Sequence, residues 1–181
     1  MSAPALHSRL AEQGKLLALQ GEHSEALRHY REALRLASQS GAPEVVSRHY
    51  AWCVLESLER SGAFEEVLSF CQRVEAHYSR QPPSTELARL DLASHREHQG
   101  MALLGLQRPT EARERLEAAV ALAGPGRLPL SERVLSWLRG GLHVDARRLA
   151  LEQERHRYWS VRPEAVNPSI ALPLPPPVAP R

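Results

Sequence analysis

The chain has 181 residues, of which 43% are hydrophobic and 24% charged, with a formal net charge of +2. A chain of this length buries roughly 70% of its unfolded surface, enough for one continuous core, and so small a net charge gives no strong field for nucleic acid or a membrane surface. The two cysteines, Cys53 and Cys71, are too few for an extracellular disulfide scaffold and read as reduced core thiols.

The opening, MSAPALHSRL, has no basic stretch followed by an apolar core, so the reading is cytoplasmic. No apolar run approaches the ~20 residues of a membrane span. The pattern predicts a first helix from about Ala3 to Leu19 and a second from Ser24, a plausible cap, to Ser38. Gly41 stops the second helix, and Pro43 opens a third that runs to Arg60. Ser61-Gly62 turns the chain into a fourth helix, Phe64 to Ser79, and Gln81-Pro82-Pro83-Ser84 is the clearest interior break. A long fifth helix, Thr85 to Leu106, is followed by a sixth that opens on Pro109 and ends at Gly124-Pro125-Gly126. A short seventh helix spans Leu130 to Arg139, and Gly140-Gly141 leads into an eighth, Val144 to Tyr158. No alternating strand pattern occurs.

Two stretches repeat. Gln13 to Ala37 and Gln99 to Ala123 align without a gap and are identical at eight of 25 positions, including Gly14/Gly100, Leu17/Leu103, Ala26/Ala112 and Ala33/Ala119. A weaker copy surrounds Gly62-Ala63-Phe64-Glu65-Glu66-Val67. A glycine inside a helix costs roughly 1 kcal/mol relative to alanine, so Gly14 and Gly100 imply a close approach between paired antiparallel helices.

The series Leu10, Gly14, Leu17, Ala26, Tyr30, Ala33 resembles the tetratricopeptide repeat, as does the later series Gly100, Leu103, Ala112, Leu116, Ala119. The middle copy degrades to Leu55, Leu58, Val67, Cys71, Val74. The separations of 41 residues from Gly21 to Gly62 and 45 from Gly62 to Gln107 exceed the family's usual 34. The resemblance implies an all-α, right-handed stack of about four antiparallel helical hairpins over residues 1–160. It also implies that the first helix of each hairpin lines a concave groove. Matching positions give Lys15 in the first copy, His49, Trp52, Glu56 and Glu59 in the second, and Glu97 and Met101 in the third. The three glutamates oppose an acidic ligand, while Trp52 and Met101 suit an extended or helical peptide.

From residue 161 to 181 the chain becomes proline-rich. This tail favours extended polyproline II form over helix and reads either as a disordered tail or as a docking segment, with Ile170, Leu172 and Leu174 as anchors against a protein surface: a neighbouring copy, this chain's own array or another subunit.

Residues with catalytic or metal-binding character form no constellation. His95 and His98 share a helix without the glutamate spacing of HExxH or a third ligand. Cys71 and His77 point to different helix faces, and no serine sits in a nucleophile elbow. The Arg-rich eighth helix interleaves its charges with acids and reads as a solvated face. The sequence therefore points to a non-enzymatic protein-interaction scaffold or assembly factor with no cofactor and no metal. It would bind a protein or peptide through its groove or tail, with self-association through the tail open. The alternative is a peptide-sensing regulatory module that acts through a partner protein.

Overall fold

The computed structural model describes residues 5–176. The first expected helical residues, Ala3 and Pro4, and the last five of the tail, 177–181, lie outside that range. Among the described residues the protein is all-α, with eight α-helices and no strand. They are α1 (Leu6–Leu19), α2 (His23–Gln39), α3 (Glu44–Arg60), α4 (Phe64–Arg80), α5 (Glu86–Gly105), α6 (Pro109–Ala123), α7 (Pro129–Arg139) and α8 (Ala146–Arg155). No helix among these residues is long and apolar enough to cross a membrane.

The chain divides into two compact units. Unit 1 takes the residues up to Ser61 together with those from Ser160 onward, and unit 2 runs from Gly62 to Trp159. Length alone allowed a single core. Instead, the segment after α8 returns to the first three helices, and each unit has an apolar cluster of its own.

In unit 1, α1 packs on α2 and α2 on α3. Leu10, Ala11, Ala33, Ala37 and Tyr50 form the buried cluster, with Leu174 from the C-terminal segment packed against it. In unit 2, α5 packs on α4 and α6, and α6 on α7. The core there joins Met101, Leu103, Leu104 and Leu116 to Leu130, Val134, Leu135 and Trp137. Cys53 and Cys71 are both buried free thiols. Burial first, and the Glu56 charge second, push the Cys53 thiol up to about 12.

Several helices end the same way. At Gly21, φ is +83°, and the N–H groups of Gly21 and Glu22 reach back to the carbonyls of Ala18 and Leu17 at 3.1 and 2.9 Å. This is the left-handed stop that favours glycine. The aligned position in the third copy is Gln107, which adopts φ 59° and sets the same bonds to Leu104 and Leu103 at 3.0 and 2.9 Å. Arg157 closes α8 likewise, with φ 52°.

Helix starts differ from the expected ones in detail. The N-cap position of α2 is Glu22, which makes no side-chain capping bond, so Ser24 lies inside the helix. Side-chain caps do occur at Thr85, which accepts from Ala88 N, and at Asp145, which accepts from Arg148 N. The tail also departs from a continuous polyproline form. Two short 3-10 turns, Pro163–Ala165 and Pro168–Ile170, interrupt it before residues 171–176 extend. Proline at the first position suits such a turn, because its missing N–H would have had no partner there.

Candidate functional site

Unit 1 presents a face on which the chain's own C-terminal segment lies. Starting from Ser160, the segment crosses α3, then α1, then α2, and polar groups on each helix engage its main chain. On α3, the Glu56 carboxylate accepts the N–H of Ser160 at 2.7 Å and of Val161 at 3.0 Å. On α1, Glu12 Oε2 accepts the N–H of Asn167 at 2.6 Å. The carbonyl of Arg9 accepts the N–H of Leu172 at 3.1 Å, while its guanidinium donates to the carbonyl of Ile170 at 3.3 Å. On α2, His29 Nε2 accepts the N–H of Leu174 at 2.9 Å, and Arg28 donates to the carbonyl of Pro175 at 2.9 Å.

This pattern explains the proline spacing. Alternate residues of an extended chain point their main-chain groups the same way. Leu172 and Leu174 give their N–H groups to the helices, so Pro173 and Pro175 fall where a missing donor removes no bond. Ile170, Leu172 and Leu174 are each half-buried.

His29 is held in one tautomer by its partners. Its Nδ1 lies 2.7 Å from the carbonyl of Glu25. A carbonyl only accepts, so Nδ1 carries the proton and Nε2 keeps the lone pair that Leu174 uses.

The residues expected to line a groove divide between the units. In unit 1, Lys15 is buried and pairs with Glu12 at 2.8 Å, which fixes the carboxylate that holds Asn167. His49 keeps an exposed edge and approaches Cys53 at 3.9 Å. Loss of water around its ring, then the Lys15 ammonium, hold its pKa below the ordinary imidazole value. Trp52 is half-buried. Glu56 is 1% exposed and engages the segment directly, and Glu59 is buried. In unit 2, Met101 belongs to the apolar core. Glu97 is buried, and its Oε1 accepts the N–H of Ser131 at 3.2 Å and its hydroxyl at 2.7 Å. That carboxylate therefore caps the first turn of α7 from another helix.

The two histidines of α5 diverge. His95 donates from Nδ1 to the carbonyl of Asp91 at 2.8 Å and stacks on Phe70 with ring planes 4° apart. His98 Nδ1 lies 2.7 Å from the Tyr158 hydroxyl. Among the described residues, no group of three His, Cys, Asp or Glu side chains is placed to hold a metal ion.

Sequence reasoning missed Arg9, Glu12, Arg28 and His29. The tetratricopeptide resemblance directs attention to the stripe of the first helix that holds Lys15, and Ala11 and Ala18, at helical spacing from it, are buried at 1% and 2% exposure. The residues that hold the segment lie one position further around α1 and on α2. Comparison with family models, with curated proteins and with solved structures finds no match.

Proposed function

We propose that this protein is a tetratricopeptide-like helical-repeat scaffold that binds an extended protein segment on the α1–α3 face of unit 1. One observation carries the reading: that face receives residues 160–175 through main-chain hydrogen bonds from three successive helices. Main-chain recognition provides affinity for an extended chain of many sequences, while side-chain pockets set preference. The polar groups involved are mixed in charge, with Glu12 and Glu56 facing N–H groups and Arg9 and Arg28 facing carbonyls. Such a set suits a neutral peptide backbone rather than an anionic ligand. The role assigned to the protein is non-catalytic, as an adaptor or assembly factor in the cytoplasm.

The test is crosslinking of the full chain in its source cells, followed by sequencing of the crosslinked peptides. Crosslinks from an extended segment of another protein to α1, α2 or α3 are the expected result. Crosslinks confined to unit 2 would overturn the proposal.

A further inference from the structure

We propose that residues 166–176 are an internal competitor for this binding face, and that the partner it competes with is an extended, proline-interrupted apolar peptide. The inference rests on the interaction reading above and adds the ligand's chemistry and its regulation.

The chemistry is set by what the face takes up. The occupying segment, Val166 to Pro176, reads VNPSIALPLPP. Its N–H donors at Asn167, Leu172 and Leu174 meet acceptors on α1 and α2, and its carbonyls at Ile170 and Pro175 meet Arg9 and Arg28. Leu174 packs on the apolar cluster that contains Leu10, Ala33 and Tyr50. A ligand for this face therefore needs free N–H groups two residues apart, an intervening residue that needs no donor, and an apolar side chain for the cluster. Proline meets the middle requirement and loses little entropy on ordering.

Competition follows from connectivity. A tethered segment meets its site at an effective concentration on the order of mM. A ligand arriving from solution sees the face only in the fraction of molecules whose tail is off, and its apparent Kd rises by the reciprocal of that fraction. A tail docked in nine molecules of ten weakens a competing peptide about tenfold.

The experiment uses the full chain and a fluorescent peptide of residues 163–176, with binding read by anisotropy. Two variants free the face in different ways. Ile170→Asp with Leu174→Asp removes the apolar anchors. Leu172→Pro with Leu174→Pro removes the two N–H donors without altering any helix. Helical melting of each is compared with wild type to show that the array is intact. The expected result is peptide binding at least tenfold tighter by both variants than by the wild-type chain. Equal binding by wild type and variants would overturn the competitor and leave the interaction face standing. Absence of binding by wild type and both variants would overturn the face itself, and the proposed function with it.

Discussion

The ring of Tyr30 occupies the space that a β-carbon on Gly14 would need, with Cε1 2.6 Å and Cδ1 2.8 Å from that position. Leu116 fills the same space against Gly100, which aligns with Gly14 across the internal repeat. Each glycine thus lets its hairpin close on a large side chain of the second helix. Gly14→Ala should gain about 1 kcal/mol of helix propensity but lose roughly 1–3 kcal/mol to overpacking against a rigid ring. The expected outcome is a lower melting temperature. A Gly14→Ala variant melting at or above wild type would mean that the hairpin does not close on this contact.

Gln107 offers a change of opposite sign. It holds the left-handed conformation that Gly21 holds in the first copy, and a non-glycine residue there costs on the order of 1 kcal/mol. Gln107→Gly should raise stability by about that amount in urea unfolding. Gln107 Nε2 also donates to the carbonyl of Leu104 at a long 3.4 Å, and loss of so weak a bond should not reverse the gain. A destabilised variant would contradict this account of the turn.

Much of the fold was legible because its signals are local. The repeat Gly14/Gly100 marked the close approaches, Pro43 and Pro109 marked helix starts, and Gly41 and Gly141 marked ends. Gln107 and Arg157 adopt the same left-handed stop without a glycine, and no local signal announces that. The face that carries the C-terminal segment was legible only in part. Glu56 and the apolar tail residues stood out by type and position, but Arg9, Glu12, Arg28 and His29 act through pairings with residues more than a hundred positions away. His29 on a helix has no marked pattern around it until Leu174 is brought to its ring.

The buried carboxylate of Glu97 is held by Ser131 at the start of α7. Glu97→Ala would leave that N–H and hydroxyl buried without their partner, at about 1–3 kcal/mol. Urea unfolding should show a loss of this size for Glu97→Ala and a smaller one for Glu97→Gln, which keeps an acceptor. Equal stability of wild type and Glu97→Ala would show that the cap contributes nothing.

His23 sets an acid dependence. Burial first, and the Arg60 charge second, lower its pKa from the ordinary 6.5. On acidification the unfolded chain takes up this proton before the folded one, so stability rises with pH in this window. The contribution is fully present above about 6.5 and declines as pH falls from there toward the lowered folded value. Melting between pH 7.5 and 5.5 should therefore depend on pH less steeply in His23→Gln than in wild type. Identical slopes would assign the dependence to other groups.

The C-terminal segment is held on unit 1 by its main chain. Residue-resolved amide hydrogen exchange on the full chain tests it most directly, because the five donors are named: Ser160, Val161, Asn167, Leu172 and Leu174. These amides should exchange at least tenfold more slowly than unstructured ones, and Leu174 should lose protection in His29→Ala while Ser160 keeps it. Exchange of Asn167, Leu172 and Leu174 at the rate of an unstructured chain would contradict the account.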